Sequence, residues 1–170
     1  QVRKIVFTGS TEVGKQVMAG CADQVKAVTL ELGGKSANVV FADSDLEKAA
    51  ATAPYAVFEN AGQDCCARSR ILVERSVYDR FMELLEPAVK GVVVGAPGDP
   101  ATEMRPLVSK AHFDAVSAYV PDDSAVAFRG SKPDGPGYWF APTVLTPSSR
   151  TDPVVIEEIF GPVVAVLPFD

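Results

Sequence analysis

Cysteine, histidine and long apolar runs are all scarce in this sequence. The three cysteines, two of them adjacent, are a poor basis for a disulfide framework and include no C-x-x-C metal pair. No run of about 18 apolar residues is present, and the first residues lack the apolar core and cleavage site of a secretion signal. We therefore expect a cytoplasmic protein that binds no metal and does not enter a membrane.

Positive charge is also in deficit. The 16 lysines and arginines are outnumbered by 22 aspartates and glutamates, which gives a formal net charge of −6. Because no basic surface is available to neutralise phosphates, we expect neither nucleic acid nor an anionic membrane as a partner. The composition is otherwise that of a globular protein, since 170 residues, 47% of them hydrophobic, are enough for one substantial core.

The first 32 residues alternate between strand and helix patterns. A β-rich run over residues 2–7 leads into Gly9 and Ser10, after which apolar residues recur at helical spacing, and residues 26–32 return to a strand pattern. Ser10 is a predicted N-cap, and the free N–H groups of the first helical turn favour an anion such as a cofactor phosphate. An ordinary capped helix without a ligand is the alternative.

An acidic residue lies at the end of the second predicted strand. Glu31 comes just before the glycine pair Gly33-Gly34, which predicts a sharp turn or a close approach of the backbone. A carboxylate at that place points into whatever space the turn opens and is a candidate base. A solvated surface carboxylate is the plainer interpretation.

A thiol follows the next glycine turn. Cys65 and Cys66 lie just past Gly62, at the end of a predicted helix, where a side chain is accessible. A reactive thiol needs partial exposure and electropositive surroundings. Arg68 and Arg70 are close in sequence, although Asp64 works against them. Burial as small apolar side chains is the alternative for both cysteines.

The rest of the chain continues to alternate, which predicts an α/β fold. The only histidine, His112, lies in a predicted helix, and we interpret it as a solvated or capping residue rather than a base or ligand. We predict helices over 47–60, 81–89 and 109–119, strands over 36–41, 70–74, 125–128, 138–145 and 163–169, and serine capping boxes at 44–47 and 76–79.

Five motifs in this order resemble the NAD(P)-dependent aldehyde dehydrogenase superfamily. The resemblance extends over essentially all 170 residues. The motifs are FTGSTEVG at 7–14, ELGGKS at 31–36, GQDC at 62–65, GYWFAPTV at 137–144 and EIFGP at 158–162.

The resemblance implies the fold and its division. We expect an aldehyde dehydrogenase-like three-layer catalytic domain over residues 33–170, incomplete at its C-terminus. Residues 1–32 correspond to the last strand-helix-strand of a Rossmann-like cofactor domain. The rest of that domain, an oxyanion-hole asparagine and an oligomerising strand have no counterpart in the chain, so we expect a piece of a longer homodimer or homotetramer, with little activity by itself.

The resemblance also implies roles for individual residues. Cys65 corresponds to the nucleophile that attacks an aldehyde, and Glu31 to the base that activates the hydrolytic water. The implied reaction is oxidation of an aldehyde to a carboxylic acid with NAD or NADP, through a thiohemiacetal and a thioester on cysteine, without a metal. The residues implied to face the cofactor are Gly9, Ser10, Leu32, Gly33, Glu158 and Phe160.

Two other functions are compatible with the same pattern. A related type of enzyme passes the acyl group to coenzyme A, but its members typically lack a carboxylate at the position of Glu31. A non-catalytic structural or binding protein on this fold is the second alternative, because a fold does not determine a function. The presence of both Glu31 and Cys65 favours the acid-forming enzyme.

Overall fold

The computed structural model describes residues 2–170 and divides the chain into two compact units after Gly34. Both are built from helices and strands. In the described part of the chain, no helix has the length and apolar character needed to cross a membrane. The assignment of residues 1–32 to a cofactor domain and of residues 33–170 to a catalytic domain stays a prediction.

The first unit is a strand-helix-strand, as predicted. Strands β1 (Lys4–Gly9) and β2 (Ala27–Leu32) pair in parallel and are connected by helix α1 (Thr11–Ala22). The predicted N-cap is confirmed, because the Ser10 hydroxyl accepts the N–H of Val13 at 3.3 Å. The helix approaches β2 closely, since a Cβ on Gly14 would lie 2.6 Å from the Leu32 side chain.

The second unit contains a five-stranded mixed sheet. Its order is β3-β4-β7-β6-β5, and all neighbouring pairs are parallel except β5 with β6. The central strand is buried on both faces over residues 163–167, so both faces of the sheet are covered. The strands are β3 (Ala37–Val40), β4 (Arg70–Glu74), β5 (Val126–Arg129), β6 (Thr143–Leu145) and β7 (Val163–Phe169).

Four helices accompany this sheet. Two of them, α2 and α3, pack against each other and bury an apolar face that includes Phe58, Phe81 and Leu85. Burial of such side chains contributes about 1.5–3 kcal/mol each, so the contact between α2 and α3 stabilises the second unit. The helices are α2 (Leu46–Phe58), α3 (Tyr78–Lys90), α4 (Lys110–Ser117) and α5 (Pro153–Ile156).

The predicted serine capping boxes are wrong for both long helices. Asp45 caps α2, accepting the N–H of Lys48 at 3.0 Å, while the Ser44 hydroxyl donates to the carbonyl of Phe41 at 2.6 Å. The N-terminus of α3 has no side-chain cap among the described residues. The hydroxyl of Ser76 donates instead to the carboxylate of Glu74 at 2.9 Å. In each case the serine hydroxyl donates to a residue before it in the chain instead of capping the helix.

The predicted strand over residues 138–145 is much shorter than expected. Only Thr143–Leu145 joins the sheet. The indole N–H of Trp139 donates to the carbonyl of Pro136 at 3.0 Å, and Pro142 has no N–H for a ladder bond. The first part of this segment is therefore a loop, although its aromatic residues resemble a strand in sequence.

Candidate active site

The thiol-bearing segment begins with a left-handed turn. Helix α2 ends at Phe58, and Asn60, Ala61 and Gly62 follow with φ values of 51°, 58° and 70°. This region is costly for residues with a Cβ, so the turn needs support. Asn60 and Gln63 provide it, each donating from its side-chain amide to the other's carbonyl, at 3.0 and 2.9 Å.

The turn is anchored to two distant segments of the same unit. Gly62 is buried, and a Cβ there would overlap the carbonyl of Gly161, so the two backbones lie in direct contact. The side chain of Gln63 accepts the N–H of Val108 at 3.0 Å. The chain is thus held on both sides just before it reaches the cysteines.

Cys65 and Cys66 occupy the centre of a tight turn. The N–H of Ala67 donates to the carbonyl of Asp64 at 3.1 Å, and the N–H of Cys66 donates to the Asp64 carboxylate at 2.9 Å. Both cysteines are exposed, and their sulfur atoms are 3.8 Å apart. The predicted accessibility of Cys65 therefore holds in this structure.

The surroundings of Cys65 differ from the expected electropositive site. The hydrogen bond with Cys66 and the charge that Cys66 carries as a thiolate raise the pKa of Cys65. The Asp64 carboxylate adds to the increase. Arg70 points elsewhere and donates to the carbonyl of Lys35 at 2.9 Å. In this unit alone, the neighbours of Cys65 disfavour its thiolate.

The remaining candidates of the first unit lie at the ends of its elements. Glu31 is exposed near the end of β2, opposite Thr8 of β1, and Leu32 is half-buried beside it. Gly9 ends β1 next to the capping residue Ser10. Cys65 belongs to the second unit, so the expectation that Glu31 and Cys65 share one site stays a prediction.

Glu158 and Phe160 lie in the loop before β7. The Oε1 atom of Glu158 is buried and has no hydrogen-bond partner in the described residues. A buried, unpartnered carboxylate oxygen is costly and can accept a hydroxyl group of a ligand. Phe160 is 40% exposed with a positive φ of 57°, a strained conformation for an aromatic residue.

The sequence interpretation missed the role of His112. Its Nε2 lies 2.6 Å from the carbonyl oxygen of Phe160, and its ring meets the Phe160 ring edge-on at 5.9 Å. Since a carbonyl only accepts, Nε2 carries the proton. His112 therefore fastens the strained loop, and no local pattern in the sequence could have indicated a contact across 48 positions.

The sequence also does not predict the environment of Lys35, which belongs to the ELGGKS motif. Its Nζ is buried and has no hydrogen-bond partner among residues 2–170, and its pKa is lowered to about 8 by burial and by the charge of Arg70. The nearby carboxylates of Glu158 and Glu157 oppose this shift. Lys35 and Glu158 therefore lie close enough for their charges to interact.

Several curated relatives of this chain are dehydrogenases nearly three times its length. It is 39% identical over 178 residues to 2-hydroxymuconic semialdehyde dehydrogenase from Pseudomonas sp. (strain CF600), covering 99% of the chain and 37% of the relative. It is 40% identical over 174 residues to 3,6-anhydro-alpha-L-galactose dehydrogenase from Vibrio sp. (strain EJY3), covering 98% and 36%. The chain therefore spans little more than a third of such relatives.

Solved structures show the same fold. The betaine aldehyde dehydrogenase of Staphylococcus aureus, solved in complex with NAD+, matches with a TM-score of 0.91 and 39% identity, over 99% of this chain and 35% of that one. An aldehyde dehydrogenase from Bacillus cereus matches with a TM-score of 0.92 and 43% identity, over the same shares. The predicted aldehyde dehydrogenase-like α/β fold is thereby confirmed.

The family model for the aldehyde dehydrogenase family matches residues 1–170. The resemblance drawn from the five motifs is thus supported along the whole sequence. This chain belongs to the aldehyde dehydrogenase family.

Proposed function

We propose that this chain carries the chemical half of a site that oxidises an aldehyde to a carboxylic acid. The observation that carries the proposal is the position of Cys65. Its exposed thiol lies at the centre of the Asp64–Ala67 turn, and the strained left-handed turn at residues 60–62 holds that segment in place. Stored strain of this kind is typical of functional segments. Family membership of the chain supports the same reaction class.

Cys65 is the proposed nucleophile. Its thiolate adds to the aldehyde carbonyl and forms a tetrahedral thiohemiacetal, which loses hydride and becomes a thioester. The backbone N–H of Cys65 makes no hydrogen bond to another described residue, so it is free to donate to the oxyanion. Because Cys66 and Asp64 raise the pKa of Cys65, we expect its thiolate to need a positive charge nearby in the active protein.

The residues of this chain fit a nicotinamide cofactor, NAD or NADP. Glu158 offers its buried unpartnered oxygen to a ribose hydroxyl, and exposed Phe160 offers an aromatic face nearby. In the first unit, the N-terminus of α1 beside Gly9 and Ser10 offers free N–H groups to a phosphate. Leu32 and Gly33, at the end of β2, are also part of the proposed cofactor surface. When bound, the cofactor supplies the hydride acceptor.

Glu31 is the proposed base for the second half of the reaction. Its carboxylate accepts a proton from water, which attacks the thioester and releases the acid. This role separates the reaction from acyl transfer to coenzyme A, for which the thiol of the acceptor is already a good nucleophile. Glu31 therefore favours water as the acyl acceptor.

The proposed active protein is longer than this chain. The chain covers 37% and 35% of two such relatives. We expect an oxyanion-hole side chain, most of the cofactor surface and the contacts of a homodimer or homotetramer to lie in the parts that the relatives have in addition. We propose a cytoplasmic enzyme, with a small aldehyde as substrate and with neither metal nor nucleic acid as partner. The chain by itself is expected to have little dehydrogenase activity.

The test compares the two adjacent cysteines in a protein extended to the length of its relatives. Cys65→Ser should abolish aldehyde-dependent NADH or NADPH formation, whereas Cys66→Ser, the matched control one position away, should retain most of it. Loss of activity in Cys66→Ser but not in Cys65→Ser would show that Cys66, rather than Cys65, is the nucleophile. Failure of either cofactor to bind the extended protein would favour the non-catalytic alternative.

A further inference from the structure

Two exposed thiols side by side are more than a single nucleophile requires. The sulfur atoms of Cys65 and Cys66 are 3.8 Å apart, and both side chains are exposed at the centre of the Asp64–Ala67 turn. The third cysteine, Cys21, is buried in α1. The described residues thus hold one accessible pair of thiols, already in van der Waals contact.

We propose that Cys66 is a resolving thiol, which captures oxidised Cys65 as a reversible disulfide between the two adjacent residues. The oxidant is a hydroperoxide, in the simplest case hydrogen peroxide. The proposed site is a redox modification site, and its chemistry requires neither cofactor nor aldehyde. It therefore stands or falls independently of the proposed dehydrogenase function.

The proposed reaction has two steps. The Cys65 thiolate attacks one peroxide oxygen, so that an S–O bond forms, the O–O bond breaks, and the departing hydroxide takes a proton to become water. The Cys66 thiolate then attacks the sulfenyl sulfur, forming the S–S bond and displacing a second hydroxide, which also becomes water. Two thiols are oxidised by two electrons, and one peroxide is reduced to two waters.

Proximity favours the second step over further oxidation. Attack by Cys66 is intramolecular and needs rotation of two side chains from a sulfur distance of 3.8 Å. Conversion of the sulfenic acid to sulfinic acid needs a collision with a second peroxide molecule and is irreversible for most proteins. Cys66 thereby protects Cys65 from permanent loss.

The geometry of adjacent residues makes the product easy to reduce. Neighbouring Cα atoms are about 3.8 Å apart across a trans peptide, below the usual disulfide range of about 4.4–6.8 Å. The resulting ring is strained, and strained, exposed disulfides are the labile ones. The pair lies in a turn outside helix and strand, so its closure breaks no regular backbone ladder.

The hydrogen bond between the thiols is expected to slow the first step, the attack of Cys65 on the peroxide. Cys66 and Asp64 raise the pKa of Cys65, so less thiolate is present at neutral pH than for an ordinary cysteine. The pair is therefore suited to rescuing a thiol after occasional oxidation, rather than to fast sensing of peroxide. While the disulfide exists, Cys65 is unavailable as a nucleophile.

The test follows oxidation of the folded chain by peptide mass. The chain is treated with increasing hydrogen peroxide in the presence of a chelator, alkylated, and digested with trypsin, which releases both cysteines in one peptide, residues 49–68. We expect this peptide to lose two hydrogen atoms and to recover them with dithiothreitol, while Cys21 remains an alkylatable thiol. In Cys66→Ser the same peptide should instead gain two or three oxygen atoms that dithiothreitol does not remove.

Several results would overturn the proposal. The wild-type peptide could gain oxygen atoms as fast as the Cys66→Ser peptide, the disulfide could join two chains or involve Cys21, or both thiols could stay reduced at peroxide levels that oxidise free cysteine. Cys66→Ala serves as a second variant without a hydroxyl. Because the wild-type mass change is decisive by itself, a variant that fails to fold does not remove the test.

Discussion

The imidazole Nε2–H of His112 donates to the carbonyl oxygen of Phe160 at 2.6 Å, which ties helix α4 to the loop before β7. The carbonyl belongs to a residue with a φ of 57°, so the bond restrains a backbone that has little intrinsic preference for its conformation. The neighbouring Glu158 carries the buried, unpartnered oxygen that we assign to a cofactor hydroxyl. The histidine thus acts on the proposed cofactor surface through the backbone.

Removing this hydrogen bond should loosen the loop. His112→Ala is expected to lower the free energy of unfolding by about 1 kcal/mol, the usual contribution of one such bond. It should also increase hydrogen exchange of the amides of Ile159 to Gly161. His112→Gln, which keeps an N–H donor, is the matched control and should lose less. Equal exchange in His112→Ala and wild type would show that the loop is held by other contacts.

The close approach of Gly62 to Gly161 predicts a severe effect of a single methyl group. Gly62→Ala adds a Cβ that overlaps a backbone carbonyl, at a φ of 70°. We expect a loss of about 2–3 kcal/mol in urea denaturation, from strain and displaced backbone together. Gly98→Ala is the control, because a Cβ there meets no atom within 4 Å. Similar stabilities for the two variants would contradict the contact.

The buried ammonium of Lys35 predicts a pH effect on stability. Its folded pKa of about 8 lies below the unfolded value of 10.5, so the unfolded state binds more protons between these values. The unfavourable contribution of Lys35 is therefore fully present below about pH 8 and is relieved as the pH rises towards 10.5. Between these pH values, the unfolding free energy of wild type should rise relative to that of Lys35→Met.

The Lys35 comparison is made as a difference between the two proteins because other groups titrate in the same range. Burial and neighbouring charge raise the pKa of Tyr78, for example, which decreases stability as the pH rises. Lys35→Arg keeps its charge at all these pH values. The difference between its unfolding free energy and that of Lys35→Met should therefore not change with pH. A constant difference between the unfolding free energies of wild type and Lys35→Met would show that the pKa of Lys35 is not lowered by folding.

The thiol pair predicts a change in the reactivity of Cys65. Cys66 is the main cause of the raised Cys65 pKa, so Cys66→Ala should lower that pKa towards its ordinary value. More thiolate at neutral pH means faster alkylation by iodoacetamide. Rates at several pH values measure the shift, and the buried Cys21 is an internal control whose slow alkylation should not change. An unchanged or slower rate at Cys65 would contradict the inferred coupling.

The sequence predicts what depends on neighbouring residues and misses what depends on distant ones. Ser10 caps α1 as predicted, because a hydroxyl before an amphipathic run has its partner three residues away. The turn at Gly62 was predicted from its glycine. The contact of Gly62 with the backbone of Gly161 is not predicted, because Gly161 belongs to a segment far away in the sequence. Local propensity carries no record of such a contact.

The candidate site shows the same limit. Motif resemblance selected Cys65 and Glu158 individually, and the structure adds the partners that define their chemistry. Cys66 and Asp64 surround the thiol with acceptors and acidic groups, although the arginines nearby in sequence suggested positive charge. Charges act through space, so their sign at a site cannot be read from the order of residues along the chain.

In the proposed reaction, an aldehyde becomes covalently bound to Cys65 and is released with the help of Glu31. In a protein extended to the length of its relatives, Glu31→Gln should slow thioester hydrolysis by about 10²–10⁴-fold, the usual contribution of a general base, and let the acyl-enzyme accumulate. The direct measurement is the mass of the acid-quenched tryptic peptide 49–68 after mixing with aldehyde and cofactor. We expect one acyl group on Cys65, whereas an acyl group on Cys66, or none while product still forms, would exclude this mechanism.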